Sequence, residues 1–280
     1  MPPFQVWLRK VFGARARSDR RKGRGDRPAL GHEVLEDRTL FATRVWAGLA
    51  ADGLWSSPAN WAGNVAPQPD DSLVFPAGAG NTTNTNDYVS GTRFRSVTIS
   101  AAGYAIGEQA PGTNRVVLLD GLVYNAAAGD ASFTAPVVLG ANQTFFAANA
   151  NTTLTLGSLD LAGLQTLSVD GRGDIVAGGA VTGTGGVNKF GDGVLAFAGT
   201  NTFEGIVNLT QGSLSLRSDT ALGSTAGGTI AGLGTSILLE GGVTVPENLV
   251  VRDIGRGFDL SMLGAVRSVS GTNELTGTIS

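Results

Sequence analysis

Residues 185–223 read GGVNKFGDGVLAFAGTNTFEGIVNLTQGSLSLRSDTALG. Apolar side chains stand two apart: Leu195 and Phe197, Val207 and Leu209, Leu214 and Leu216. That period points one face of a strand into a core and the other into solvent. Gly191, Gly193, Gly199, Gly205 and Gly212 punctuate the doublets where the chain must turn or pack closely. Leu154 with Leu156, Leu159 with Leu161, and Leu167 with Val169 repeat the pattern upstream. No helical period of apolar residues persists beyond residue 45. Parallel strands ordinarily need helical crossovers. A chain of short strands and glycine turns escapes that need by coiling into a β-helix, in which each coil stacks on the last.

The same stretch is similar to one unit of the autotransporter-associated β-strand repeat family. The family pattern is Gly, Lys, Gly-x-Gly, an alternating strand, Gly-x-Asn-Thr-aromatic-x-Gly, a second strand, then Gly-x-Leu-x-Leu. The matching residues are Gly186, Lys189, Gly191, Gly193, Leu195, Phe197, Gly199, Asn201, Thr202, Phe203, Gly205, Gly212, Leu214 and Leu216. Phe203 stands where Tyr is commoner. The resemblance implies a β-solenoid at the bacterial surface and no chemistry. Part of GTNTFEG at 199–205 returns as GTNELTG at 271–277, so a degenerate second copy is expected from about residue 264. The end at Ser280, just inside that copy, reads as a fragment of a longer product or a short member of a family of long proteins.

Charge divides the chain. Residues 1–44 hold 11 Lys/Arg and 5 Asp/Glu, net +6; the remaining 9 and 18 give residues 45–280 a net −9. The basic segment is expected to be a disordered targeting leader. It lacks the apolar run of roughly 7 to 15 residues of a Sec signal. No stretch approaches the ~18 apolar residues of a membrane span. The leader ends in a motif that resembles an N-terminal signature of large bacterial surface proteins with these repeats, carried by Leu35, Glu36, Arg38, Leu40 and Ala42. Its arginine run has no nucleic-acid-binding fold or aromatic platform beside it, so no nucleic-acid partner is expected.

Residues 45–110 are expected to form an N-terminal cap and first strands. Trp46, Trp55 and Trp61, with Pro58, Asn60, Pro67 and Asp71, resemble the opening module of the same surface proteins. A solenoid's first rung exposes an apolar end and an unpaired strand edge. A tryptophan cap would cover both, and it is preferred to the rival reading, a glycan-binding platform. A polar turn at 83–91 is followed by a strand expected over Phe94–Ile99. Residues 111–280 complete the expected fold: an all-β, right-handed parallel solenoid of eight or nine coils.

Catalytic residues are scarce. The chain has no cysteine, hence no disulfide or thiolate metal site, and one histidine, His32, in the leader. A nucleophilic triad has no base in the body. Asp70 and Asp71 are adjacent on an apparent turn, where capping is the ordinary role. Asp170 and Asp174 flank Gly-Arg-Gly, but the spacing does not match a calcium turn and there is one copy. GTGGVNK at 183–189 lacks the Gly-Lys-Ser/Thr of a phosphate loop. The two Arg-Gly-Asp triplets, at 24–26 and 172–174, are the kind that Gly/Arg-rich sequence produces by chance. No cofactor and no metal are expected. The reading is a non-enzymatic, extracellular or cell-surface stalk or adhesin, with envelope polysaccharide or other surface proteins as partners. The alternative is a β-helix polysaccharide lyase or hydrolase, or a carbohydrate-binding module. Three or more charged side chains converging in one groove would favour the enzyme; an evenly polar Thr/Asn/Ser face would favour the stalk.

Overall fold

The computed structural model describes residues 41–252 and 264–280. Expectations for residues 1–40, including the disorder of the leader, lie outside the described residues, as does His32. What is described is all-β apart from two single-turn 3₁₀ segments, Pro58–Asn60 and Ala62–Asn64. Among the described residues no helix is long and apolar enough to cross a membrane.

The strands form three stacks, and every strand pair is parallel. A first sheet of ten strands begins at Thr43–Val45 and ends at Leu249–Val251; a second has nine strands, from Thr83–Asn86 to Val266–Ser270; a third has five, from Thr92–Phe94 to Val181–Thr182. A further pair, Thr244–Val245 with Glu274–Leu275, forms near the C-terminal end. The chain visits the sheets in turn, so each strand pairs with its counterpart one coil away. This is the β-solenoid anticipated from the doublets and glycines.

Register gives the coil lengths. Along one column of the first sheet Leu73, Val97, Leu122, Phe145, Val169, Lys189, Leu209, Ala231 and Val251 are successive partners. Their numbers differ by 24, 25, 23, 24, 20, 20, 22 and 20: eight turns, with a further bridge from Leu249 to Ile279. At ~4.8 Å per coil those eight steps span roughly 38 Å.

The expected doublets are the core. Leu154, Leu156, Leu167, Val169, Leu195, Phe197, Val207, Leu209, Leu214 and Leu216 are all buried. Three local expectations need correction. The polar stretch from residue 83 is not all turn, since Thr83–Asn86 is the first strand of the second sheet. Phe94–Ile99 is not one strand: Thr92–Phe94 belongs to the third sheet and Val97–Ile99 to the first, because the chain turns a corner at Arg95–Ser96. The outward positions are not uniformly polar either. Polar Asn201 and Thr152 are buried, whereas Val176 and Leu238 lie on the outer face of the second sheet.

The glycine excess has a steric cause. Three of the corners are so tight that the carbonyl of one coil occupies the place of a Cβ on the next. A Cβ on Gly193 would lie 2.0 Å from the Gly173 oxygen, one on Gly199 2.1 Å from the Gly179 oxygen, and one on Gly205 2.2 Å from the Gly185 oxygen. Real side chains cannot approach so closely, so a side chain at any of these three positions would force the two coils apart.

Candidate functional site

The repeat residues are brought together as a scaffold. Gly186, Gly191, Gly193, Gly199, Gly205 and Gly212 lie where an added Cβ would meet backbone of a neighbouring coil. Phe203 is buried and packs on Phe197 with ring centroids 5.7 Å apart. Thr202 is exposed. Asn201 faces inward: its Oδ1 accepts the Val181 N–H at 2.8 Å and its Nδ2 donates to the Ala221 carbonyl at 2.7 Å. Asn273, in the segment resembling a second copy, accepts the Val243 N–H at 2.9 Å through the same atom.

Lys189 is the residue whose placement sequence reading missed. It occupies a core position between Val169 and Leu209 and is 1% exposed. Its Nζ donates to the carbonyls of Phe190 (2.5 Å), Gly191 (2.7 Å) and Gln211 (3.3 Å) at a corner. Burial pushes its pKa down to about 8, while Asp170, Asp174 and Asp192 pull the other way. The signal was the alternation itself: Val187-Asn188-Lys189 puts the lysine in phase with the inward valine.

Trp46, Trp55 and Trp61 are buried side by side over the first coil. Trp46 and Trp61 meet edge to face at 5.1 Å; Trp55 packs on Phe75 and Phe94 at 5.7 Å each. Each indole N–H has an acceptor at 2.7 Å: the Asn81 carbonyl, Asn84 Oδ1 and the Trp55 carbonyl for Trp46, Trp55 and Trp61 respectively. Asp71, expected as a cap, is one. It accepts the Ala42 and Gln68 N–H groups and the Arg44 Nε. Against the cost of burial, these partners hold its carboxyl below the usual carboxylate range.

Asp170 and Asp174 do not form one site. They sit on different sheets, either side of the corner at Gly171–Gly173, and each caps backbone: Asp170 the Gly171 N–H, Asp174 the Val194 N–H. Among the described residues no group of three or more His, Asp or Glu side chains is arranged to hold a metal ion.

Asp174 does line a groove of about 200 Å³ on the outer face of the second sheet, with Arg217 and Glu240. Arg217 Nε lies 3.0 Å from Glu240 Oε2, and the buried Ser215 hydroxyl donates to Glu240 Oε1 at 2.9 Å. The floor is apolar: Val176, Val194, Ala196 and Leu238. Three charged side chains therefore share a groove, the arrangement expected to favour an enzyme, but two of them are closed on each other. Arg217 and Glu240 are one coil apart, 23 residues. Opposite charges at a coil's spacing were the readable signal, invisible until the coil length is known.

Part of the chain is similar to a curated protein, an autotransporter adhesin of Brucella suis biovar 1 (strain 1330) named BmaC. The two are 34% identical over 110 residues, which is 38% of this chain and 3% of the adhesin. That relative and the solenoid agree with an autotransporter-associated β-repeat surface protein. The match covers only a small part of the relative's length. No family model matches the sequence, and no solved structure matches it.

Proposed function

We propose that this chain is a non-enzymatic segment of a bacterial cell-surface adhesin, a stiff stalk or passenger-like module. The observation that carries this reading is the unbroken parallel column from Leu73 to Val251. It commits the chain's glycines, asparagines and apolar doublets to stacking rather than to a reaction centre. The similarity to an adhesin supports the same reading. Residues 1–44 serve as the export leader, the tryptophans as the solenoid's end cap, and the partners are envelope polysaccharide or other surface proteins. The test is cell fractionation with an antibody to residues 45–280, together with N-terminal sequencing of the exported form. The body is expected outside the cell, and deletion of the gene should reduce attachment. Recovery of the protein only from the cytosol would overturn the proposal.

The groove of Asp174, Arg217 and Glu240 keeps a second reading in play, a polysaccharide lyase or hydrolase. Purified protein is expected to release no sugars from acidic or neutral polysaccharides. Cleavage that Asp174→Asn or Glu240→Gln abolishes would establish the enzyme instead.

A further inference from the structure

The third sheet carries a groove on its outer face that none of the repeat residues forms. It has a volume of about 180 Å³ and lies across the coils of Val116–Leu118, Val137–Leu139 and Leu159–Asp160. Pro136 and Val138 make its floor, Arg115 and Asp160 its charged rims, and Ser158 and Thr182 add hydroxyls.

Two features define its chemistry. Arg115 Nη1 and Asp160 Oδ2 stand 3.7 Å apart, an ion pair but too long for a hydrogen bond. Their side chains are 52% and 33% exposed. Unlike Arg217 and Glu240, they leave a planar guanidinium and a carboxylate with free donors and acceptors facing one groove. One charge of each sign also leaves the site without net charge, so it attracts neither a polyanion nor a polycation. Between the rims lies apolar surface. A ligand that suits all three carries an apolar face edged by neutral hydroxyls able both to donate and to accept, as a pyranose ring does. A peptide is less well matched, because the strands beneath are paired on both sides and offer no free edge for a backbone to join. The size also fits one ring of a chain, being below the roughly 300–1,000 Å³ of pockets that enclose a whole drug-sized ligand.

We infer that the groove between Arg115 and Asp160 is a subsite for a sugar ring of a neutral polysaccharide. This rests on the reading of the chain as an adhesive surface module and specifies what that module holds. Arg115 and Asp160 each bind ring hydroxyls, and Pro136 and Val138 support the apolar face. Affinity for a single groove is weak, and attachment comes from many copies acting together on one polymer.

The test uses the full chain, isotope-labelled, titrated with cellohexaose, maltohexaose, laminarihexaose and mannohexaose, with oligogalacturonate as the acidic comparison. The expected result is movement of the amide signals of Val138, Ser158, Asp160 and Thr182 with at least one neutral oligomer. Arg115→Ala and Asp160→Ala should each weaken that binding about ten-fold, the loss of one hydrogen bond to a charged group. Val138→Arg, which fills the groove, should abolish it. Arg217→Ala in the other groove should leave it unchanged. Both rim positions are exposed enough for the alanine variants to keep the parent melting temperature. No shift with any neutral oligomer, shifts confined to other faces, indifference to both rim variants, or tighter binding of oligogalacturonate would each overturn the assignment. Because binding is read on purified protein, such a failure leaves the fractionation result, and so the surface reading, standing on its own.

Discussion

Asn201 donates through Nδ2 to the carbonyl of Ala221, one coil ahead, at 2.7 Å. Its Oδ1 meanwhile holds the Val181 N–H of the coil behind. One side chain thus ties three consecutive coils at the point where the regular third sheet has ended at Val181–Thr182. There the Asn201 amide adds to the backbone bonds that continue between the coils, Thr202 N–H to the Val181 carbonyl at 2.9 Å and Glu204 N–H to the Gly183 carbonyl at 3.0 Å.

Asn201→Ala should therefore be costly. It leaves a buried N–H and a buried C=O without partners, each worth about 1–3 kcal/mol. A loss of about 2–5 kcal/mol is expected from denaturant unfolding. Thr202→Ala, at the exposed neighbour, should change stability by less than about 0.5 kcal/mol.

Gly193→Ala tests the corner geometry. The new Cβ would sit 2.0 Å from the Gly173 carbonyl oxygen, so two coils must separate. Gly107 is the control, since its nearest neighbour is a side-chain oxygen 3.7 Å away. A melting-point series should show Gly193→Ala strongly destabilised, by more than about 2 kcal/mol, and Gly107→Ala near neutral. Equal effects would mean that backbone entropy, not contact, sets the cost.

The fold was legible because its two signals are local. A doublet such as Leu214 and Leu216 states which face is inward, and Gly212 states where the corner falls. What joins residues across coils was not legible. Lys189 was seen as a motif position, yet nothing in its neighbours reveals three carbonyls around its ammonium. Arg115 and Asp160 are 45 residues apart, two coils of 21 and 22 residues plus two positions along the strand, and no single period brings them together. Coil length varies from 20 to 25 in the column from Leu73 to Val251, so the lateral surface can be read only after the register is fixed.

Trp61→Ala should cost about 3–5 kcal/mol, the usual penalty for emptying a buried aromatic site. Its ring is 1% exposed and its Nε1 is bonded to the Trp55 carbonyl. The change should appear as early loss of the first coils by hydrogen exchange. Unchanged stability with lost polysaccharide binding would favour the platform reading of the tryptophans.

Lys189 gives the solenoid an alkaline signature. Its folded pKa, about 8, lies below the ordinary 10.5. The unfolded chain therefore holds more protons between those values, and stability rises with pH across that window. The cost of burying the ammonium is complete below pH 8 and is relieved by about pH 10.5. Lys189→Met should flatten the profile between pH 8 and 10.5. It should also destabilise the protein near pH 7, because three corner carbonyls lose their donor. Urea unfolding at stepped pH reads both effects, and a profile unchanged by the substitution would refute the assignment.

Glu247, in the C-terminal coils, makes the opposite prediction. It stands in a column otherwise containing Gly185, Gly205, Gly227 and Gly277, and it is 2% exposed. Oε1 accepts the Thr229 hydroxyl at 3.1 Å, while Oε2 has no hydrogen-bond partner. Burial pushes its pKa up to about 7 from an ordinary 4.5, against the lowering effect of Thr229 and the Gly228 N–H. At pH 4 the carboxyl is protonated in both states and carries no penalty. Between 4.5 and 7 the unfolded chain ionises first, so stability falls as pH rises through that window, by about 3 kcal/mol in all. Glu247→Gln preserves the shape and removes the charge. It should abolish the fall and leave the C-terminal coils better protected from hydrogen exchange at pH 8 than those of the parent. If the parent coils are equally protected at pH 5 and pH 8, Glu247 is not the buried acid that its column makes it.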